Sequence, residues 1–269
     1  GTTVVRLAIT VEMHGASPPI VLLHSLALDR SMWSPLIDEL DPARTVITMD
    51  LRGHGRSPTH DSFTIEDMAD DVADTVGFLG HDQAVVVGLS MGGCVALAVA
   101  IRHRSLVTGL GLIDTTAWYG PDAPERWAER ATKAQEQGMA SLSQFQLERW
   151  FGPEFLAANR ESAEVLLDVF AKNHLDSYVA ACHAMGAFDA RAELGAIAAP
   201  TVVIVGELDP ATSPEHADRL HQAIPGSTLN VIAGAKHLTP VECPAAVAAL
   251  LAPLWTGSPR RGETDETHR

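Results

Sequence analysis

Short apolar segments rich in β-branched residues alternate with segments of helical periodicity along most of this 269-residue chain. Apolar runs of this kind are typical of strands buried on both faces, which occur in parallel sheets covered by helices. A segment of alternating polarity at 4–15 predicts a further two-sided strand or a hairpin. The remaining predicted strands are PIVLLHS (19–25), RTVITMDL (44–51), QAVVVGL (83–89), LVTGLGLID (106–114), TVVIVGE (201–207) and STLNVIAG (227–234). The alternation therefore predicts an α/β fold with a mostly parallel sheet.

Helical periodicity separates these strands, in the segments 65–79, 93–103, 215–224 and 244–255. The alternation stops between 119 and 191, where no strand is predicted and helical patterns occupy 124–139 and 162–175. We therefore predict one core in two parts, 1–118 and 192–256, with helices on both faces of the sheet. The segment 119–191 is predicted to be an inserted helical cap. The charged segment 257–269 lacks apolar anchors and is predicted to be a mobile tail.

The formal charge of −15 and the spacing of the cysteines limit the expected partners and compartment. An acidic surface repels a phosphate backbone, so no nucleic acid partner is expected. No segment approaches the ~18 apolar residues that cross a bilayer, and no basic-then-apolar leader is found, so no membrane partner is expected. Cys94, Cys182 and Cys243 lie far apart, which favours reduced thiols and a cytoplasmic location. A small-molecule partner is expected, and a homo-oligomer is compatible with the sequence.

The segment VVVGLSMGGCVAL (85–97) places Ser90 between glycines where a predicted strand changes into a predicted helix. Gly88-Leu89-Ser90-Met91-Gly92 matches G-x-S-x-G, in which a sharp strand-to-helix turn leaves the middle residue strained and projecting above the sheet. Free N–H groups at the start of the helix favour negative charge that develops there. An incidental turn would also match these five residues, but the flanking strand and helix favour a nucleophile.

A serine hydroxyl needs a base that takes its proton and an acid that orients the base. His237 follows the last predicted strand and Asp209 follows the strand before it. Both therefore fall at the carboxyl edge of the sheet, as Ser90 does. The chain order Ser90, Asp209, His237 is the order expected for a nucleophile on a strand–turn–helix element. Asp114 ends another predicted strand and is the alternative acid.

Two backbone N–H groups must meet the oxyanion that forms when a serine attacks a carbonyl. Met91 directly follows the nucleophile, and Leu26 lies in the loop after the predicted strand at 19–25. These two residues are the predicted donors of the oxyanion hole.

Other polar motifs give weaker signals. The histidines His24, His54 and His183 are candidate pocket residues, although a histidine near a turn more often serves a structural hydrogen bond. The segment DLRGHGRS (50–57) contains glycine and arginine but lacks the spacing G-x-x-x-x-G-K-[ST] of a phosphate loop. No HExxH, paired CxxC or carboxylate cluster is present, so no metal and no cofactor are predicted.

Five segments, in this order, resemble the α/β-hydrolase superfamily with an inserted cap: LLHSLALDRSMW, MDLRGHGRS, VGLSMGG, VVIVGELDPATSP and AGAKHLTPVECP. Together they span nearly the whole chain. The run Ser-Leu-x-x-Asp-x-x-Met-Trp at 25–33 and the cap segments LERWFGPEF (147–155) and YVAAC (178–182) are similar to the 3-oxoadipate enol-lactonases. The resemblance implies the α/β-hydrolase fold. It also implies hydrolysis of a small unsaturated lactone with a carboxylate side chain, in the bacterial degradation of aromatic compounds.

By position, the resemblance implies a nucleophile, acid and base at Ser90, Asp209 and His237, and oxyanion donors at Leu26 and Met91. It further implies that Trp150 lines the substrate pocket. Ala27 stands where this family usually has glycine. A substrate carboxylate in a dry pocket needs a cation or several N–H donors. The candidate cations are three arginines of the cap, Arg126, Arg130 and Arg149.

Three other functions are compatible with the same residues. Another carboxylesterase or lactonase is the nearest, and a cofactor-free haloperoxidase would pass the acyl group to peroxide. A non-catalytic ligand-binding protein of the same fold is the third, although the complete set of nucleophile, base and acid favours an enzyme.

Overall fold

A computed structural model describes residues 5–12 and 14–257 of the chain. Within these described residues, seven strands form one sheet at the positions where strands were predicted. Their bounds are β1 Ile9–Glu12, β2 Ala16–Leu23, β3 Arg44–Met49, β4 Ala84–Leu89, β5 Val107–Ile113, β6 Thr201–Gly206 and β7 Thr228–Ile232.

The sheet has the strand order β1-β3-β2-β4-β5-β6-β7. Strand β1 is antiparallel to β3, and all other neighbours are parallel. The segment predicted as a strand or hairpin is therefore an edge strand that pairs with β3 rather than with β2. Strands β4 and β6 are buried along their full length, which explains their continuous apolar sequences. The carboxyl ends of the parallel strands meet at one edge of the sheet.

Helices cover the sheet. Their bounds are α1 Ser34–Ile37, α2 Ile65–Phe78, α3 Met91–Arg102, α4 Ala123–Gln137, α5 Met139–Ser143, α6 Gln146–Trp150, α7 Pro153–Ala171, α8 Leu175–Ala187, α9 Pro214–Ala223, α10 Thr239–Glu242, α11 Pro244–Leu251 and α12 Pro253–Thr256. Short 3₁₀ helices occupy Arg30–Trp33 and Arg191–Ala196.

Local chemistry explains where several of these helices begin and end. Helix α2 starts with a capping box, because the Thr64 side chain accepts from the Asp67 N–H and the Asp67 carboxylate accepts from the Thr64 N–H. The single helix predicted at 124–139 is divided in the structure. Gly138, with φ of 80°, ends α4 and starts α5.

Helices α4 to α8 occupy the interval between β5 and β6, where every residue is described and no strand is present. The segment that leaves the core lies beside the segment that returns to it. Trp118 and Asp189 form an antiparallel bridge, and the Ala190 N–H donates to the Ala117 carbonyl at 2.9 Å. The Arg191 guanidinium stacks on the Trp118 ring at 3.4 Å. We propose that this junction bounds the helical cap predicted at 119–191, between core parts 1–118 and 192–256. The predicted tail at 257–269 lies outside the described residues, apart from Gly257.

Within residues 5–12 and 14–257, every helix is too short or too polar to cross a lipid bilayer.

Candidate active site

Ser90 occupies the sharp turn between β4 and α3, with φ of 54° and ψ of −116°. This left-handed conformation is rare for a residue with a side chain and stores strain. The turn requires glycine on both sides. A Cβ on Gly88 would lie 2.0 Å from the Gly92 carbonyl oxygen, and a Cβ on Gly92 would lie 2.1 Å from the Leu23 carbonyl oxygen. Strand, turn and helix can therefore pass closely enough to hold Ser90 at the carboxyl edge of the sheet.

A chain of hydrogen bonds joins Ser90 to the two residues predicted to assist it. His237 Nε2 lies 3.0 Å from Ser90 Oγ, and His237 Nδ1 lies 2.8 Å from Asp209 Oδ2. All three residues are buried, with exposures of 6%, 7% and 3% for Ser90, His237 and Asp209. The tautomer that donates from Nδ1 to the carboxylate leaves Nε2 free to accept the serine proton.

The Asp209 carboxylate is fixed by its own loop as well as by His237. Its Oδ1 accepts from the Ala211 and Thr212 N–H groups at 2.8 and 3.0 Å, and its Oδ2 accepts from Thr212 Oγ1 at 3.0 Å. Burial acts to raise the pKa of Asp209. The charge and hydrogen bond of His237, together with the loop N–H groups, outweigh burial and hold this pKa below its usual value. Asp209 is therefore poised to stay ionised beside the imidazole.

Asp114, the alternative acid, makes different contacts. Its carboxylate accepts from the Gly206 N–H at 2.8 Å and from the N–H and hydroxyl of Thr239 at 3.2 and 2.7 Å. Burial, followed by the negative charge of Asp209, raises the pKa of Asp114 well above its usual value. Within the described residues, the carboxylate bonded to His237 is that of Asp209.

The two predicted oxyanion donors come from the start of α3 and from the loop after β2. Met91 is the first residue of α3, and an N–H at this position has no acceptor within its own helix. Leu26 lines the same cavity as Ser90. Ala27, which replaces the usual glycine, has φ of 61°. Alanine thus adopts the left-handed conformation that glycine would take, at a cost of about 1–2 kcal/mol.

His24 and His54, two of the candidate pocket residues, are buried and do not line the cavity. His24 Nε2 accepts from the Leu51 N–H at 2.9 Å, and its Nδ1 donates to the Ser25 carbonyl at 2.8 Å. The His54 ring lies 5.0 Å from the His24 ring, and its Nε2 is buried without a partner among the described residues. His183, the third candidate, is exposed.

The buried histidine pair predicts that the protein loses stability in acid. Burial lowers the pKa of His24 to about 4, and burial together with His24 lowers that of His54 to about 3. Both are neutral in the folded state at pH values where the unfolded chain, with pKa near 6.5, binds protons. The free energy of unfolding should therefore fall as pH drops from about 6.5 towards 4. Urea unfolding at several pH values measures this slope.

His54→Asn isolates the contribution of one imidazole to that slope. The variant should lose about 1.4 kcal/mol per pH unit from the slope between pH 6 and 4.5, whatever its stability at pH 7. Gln135→Asn, an exposed substitution on α4 that removes no titratable group, is the control and should leave the slope unchanged. An unchanged slope in His54→Asn would contradict the account of this pair.

A cavity of about 330 Å³ opens onto Ser90 and His237 between the core and the cap. The predicted residues Leu26 and Trp150 line it, as do the three candidate arginines. Other lining residues were not predicted, namely Ser25, Tyr119, Trp127, Gln146, Phe170, Met185, Pro210, Ala211 and Thr212. Tyr119 could have been found from its position shortly after β5. Gln146, Phe170 and Met185 lie on cap helices and carry no sequence signal of their own.

The three arginines give the cavity a charge opposite to that of the whole protein. Arg126 pairs with Asp122 at 3.0 Å, whereas Arg130 donates to the neutral Tyr178 hydroxyl at 2.7 Å. Arg149 is half-buried, and no carboxylate within 4.0 Å pairs with it among the described residues. Burial, followed by the charge of Arg130, lowers the pKa of Arg149. An anionic group in the cavity would relieve this concentration of positive charge.

Within the part of the chain that the structure describes, no group of three or more His, Cys, Asp or Glu side chains could hold a metal ion.

The chain matches the family model of the alpha/beta hydrolase fold over residues 18–244. It is 30% identical to 3-oxoadipate enol-lactonase 1 of Acinetobacter baylyi over 88% of each protein. The crystal structure of the enol-lactonase from Burkholderia xenovorans LB400 is similar, with a TM-score of 0.88, 33% identity and coverage of 94% of this chain and 97% of that one. A malate-bound thermophilic esterase from Thermogutta terrifontis has a TM-score of 0.85 and 33% identity over 91% of each chain.

These matches confirm the predicted fold and the predicted resemblance to 3-oxoadipate enol-lactonases. The mostly parallel sheet and the helices around it agree with the matched family. The chain belongs to the α/β-hydrolase fold family.

Proposed function

We propose that this protein is a serine hydrolase that opens a carboxylate-bearing lactone, 3-oxoadipate enol-lactone, through an acyl-enzyme. The observation that carries the proposal is the hydrogen-bonded series Ser90–His237–Asp209 at the base of an arginine-lined cavity. The enol-lactonase relatives, matched over most of their length, support this choice of substrate.

In the proposed mechanism, Ser90 Oγ attacks the carbonyl carbon of the lactone while His237 Nε2 takes the hydroxyl proton. Asp209 holds the imidazole in the required tautomer and stabilises the positive charge that forms on it. The N–H groups of Leu26 and Met91 stabilise the tetrahedral oxyanion, and the loss of one such donor typically costs ~10²–10³ in rate.

Collapse of this intermediate breaks the bond between the carbonyl carbon and the ring oxygen. His237 returns the proton to that leaving oxygen, and the enol formed then becomes a ketone. His237 next removes a proton from water, which attacks the ester on Ser90. The second tetrahedral intermediate then expels Ser90 Oγ, which takes the proton back from His237 as the acid is released. The conversion of enol to ketone makes the ring opening difficult to reverse.

The arginines support a substrate with a negative charge away from the reacting carbonyl. A carboxylate enclosed in a cavity of this size loses water and needs charged donors in return. Among the described residues, Arg149 lacks a carboxylate partner, and Arg130 donates to the Tyr178 hydroxyl and lies over the Trp127 ring without pairing with a carboxylate. We propose that these two guanidinium groups bind the substrate carboxylate, while Trp150 packs against the apolar part of the substrate.

Arg149→Gln should raise KM for the enol-lactone by about 10- to 100-fold, because a hydrogen bond to a charged group is removed. The kcat/KM for a neutral aryl ester should change less than threefold, since that ester lacks the carboxylate. Arg160→Gln, which removes an exposed arginine paired with Glu164, is the matched control and should change neither value. Equal losses for both substrates in Arg149→Gln would contradict the assigned role.

A second candidate is a carboxylesterase of different substrate range, which is favoured by the thermophilic esterase at 33% identity. A comparison of substrates separates the two. The purified protein should consume enol-lactone, followed by its absorbance, with kcat/KM at least 100-fold above that for 4-nitrophenyl acetate. Rapid hydrolysis of the aryl ester without loss of the enol-lactone absorbance would reject the lactonase and favour the esterase.

We also propose that the protein acts in the cytoplasm, in the degradation of aromatic compounds. The three cysteines are free, with Cys94 and Cys182 buried in the protein interior, as expected where thiols stay reduced.

A further inference from the structure

We propose that Asp114 is a positioning residue that fixes the loop carrying the acid against the loop carrying the base. The inference rests on the proposed function. Asp114 immediately follows β5, in the centre of the sheet edge that carries the site, and it is fully buried. It does not line the cavity, and its hydrogen bonds go to Gly206 and Thr239 rather than to His237, so its effect on the reaction passes through other residues.

The two carboxylate oxygens of Asp114 bind different loops. Oδ1 accepts from the Gly206 N–H at 2.8 Å, and Gly206 is the last residue of β6, from which the loop with Asp209 departs. The Gly206 carbonyl in turn accepts from the Asp209 N–H at 3.1 Å. One side of Asp114 is therefore connected to the proposed acid through a single residue.

The other oxygen of Asp114 holds the segment that follows His237. Oδ2 accepts from the N–H and the hydroxyl of Thr239 at 3.2 and 2.7 Å. Thr239 is the first residue of α10 and lies two positions after His237. The Asp114 carboxylate thus bonds to both the loop that carries Asp209 and the loop that carries His237, and it helps to set the distance between them.

The residues on either side of Asp114 form hydrogen bonds to the backbone of Ser90, the proposed nucleophile. The Ile113 carbonyl accepts from the Ser90 N–H at 2.9 Å, and Thr115 Oγ1 donates to the Ser90 carbonyl at 2.7 Å. Asp114 itself has φ of 46°, and its N–H donates to the Ile204 carbonyl at 2.8 Å. The end of β5 therefore connects all three loops of the site at neighbouring positions.

The chemistry of Asp114 favours a functional reason for its presence. A buried carboxylate next to a second carboxylate is unfavourable unless donors compensate it, and three donors point at this one. A displacement of catalytic groups by about 1 Å can cost ~10² in rate. Loss of the link should therefore lower kcat far more than it raises KM, because the cap residues proposed to bind the substrate, Arg130, Arg149 and Trp150, do not depend on Asp114.

The test measures kcat per active site, with the active sites counted by stoichiometric labelling with a fluorophosphonate. Asp114→Ala should lower kcat for the enol-lactone by about 10- to 100-fold with KM within twofold of wild type. Asp114→Asn, which keeps one acceptor, should lose less. Thr239→Ser retains the hydroxyl and should behave as wild type, whereas Thr239→Val should lose about five- to tenfold and add nothing in the Asp114→Ala background.

Asp71→Asn is the matched control for loss of a buried carboxylate. Asp71 lies on α2, is 4% exposed and pairs with Arg52 of the loop at 50–57. This variant should lower Tm but keep the wild-type kcat per labelled site. Wild-type kcat per labelled site in Asp114→Ala, Asp114→Asn and Thr239→Val, even with lowered Tm, would overturn the positioning role. Failure of the wild-type protein to be labelled or to turn over any ester would instead overturn the proposed function, and this inference with it.

Discussion

Replacement of Ser90 by alanine is expected to lower kcat for lactone and ester hydrolysis by about 10⁶-fold, the loss typical when the nucleophile of such a triad is removed. The variant keeps the cavity and His237 but has no oxygen that can form the acyl-enzyme. Initial rates, measured with enol-lactone and with 4-nitrophenyl acetate, give the loss directly. Tm should stay close to that of wild type, because the substitution removes one hydroxyl group, which bonds to His237, and leaves the backbone of the turn unchanged.

Ser162→Ala is the control for this prediction, since Ser162 lies exposed on α7 and does not line the cavity. Its rates should equal those of wild type. Retention of ester hydrolysis in Ser90→Ala to within tenfold of wild type would show that another group attacks the carbonyl. The roles assigned to His237 and Asp209 would then also fail.

The second large effect is expected from Asp209→Asn, with a loss of about 10⁴-fold in kcat. The side-chain amide can keep its place beside His237 but would donate to Nδ1, which favours the tautomer with the proton on Nε2. That tautomer cannot accept the proton of Ser90. The loss in Asp209→Asn should exceed that in Asp114→Asn by at least 100-fold, since Asp114 lacks contact with His237.

The comparison of these two variants decides which carboxylate is the acid. A profile in which Asp114→Asn abolishes turnover and Asp209→Asn spares it would assign the role to Asp114. The geometry favours Asp209 as the acid, because the His237 Nδ1 atom lies 2.8 Å from Asp209 Oδ2.

The approach of Ser90, Asp209 and His237, the proposed triad, was predictable because each follows a recognisable strand. Parallel strands bring their carboxyl ends to one edge, so Ser90, Asp209 and His237 had to approach each other once the strand order was known. The role of Ser90 was indicated further by glycines that the close approach of β4 and α3 requires. For the acid that orients His237, the sequence offered two candidates, because Asp114 and Asp209 each follow a strand. Only the side-chain hydrogen bonds separate them.

The lining of the cavity was much harder to predict. Gln146, Phe170 and Met185 reach it from three different helices of the cap, and their place depends on how those helices pack rather than on a local pattern. Arg149 was a candidate from sequence, together with two other arginines. Within residues 5–12 and 14–257 it lacks a carboxylate partner, unlike Arg126, and this difference follows from tertiary contacts alone.

The helix boundaries in the cap were also hard to predict from the sequence. The periodicity at 162–175 predicted one helix, yet α7 begins at Pro153, where proline is favoured in the first turn, and is irregular at Asn159. Helix α8 then starts at Leu175, with the His174 side chain accepting from the Ser177 N–H. A histidine cap of this kind has no clear sequence signature, whereas the Thr64–Asp67 box before α2 does.

The central claim is that one acyl-enzyme on Ser90 carries out the whole reaction. Progressive labelling with a fluorophosphonate tests it, with the labelled peptide identified by mass spectrometry and residual lactonase and esterase activities measured on the same samples. We predict one label per chain, on Ser90, with both activities falling in proportion to the labelled fraction and reaching zero together. Full labelling of Ser90 with lactonase activity remaining, or inactivation with the label on another residue, would contradict the account.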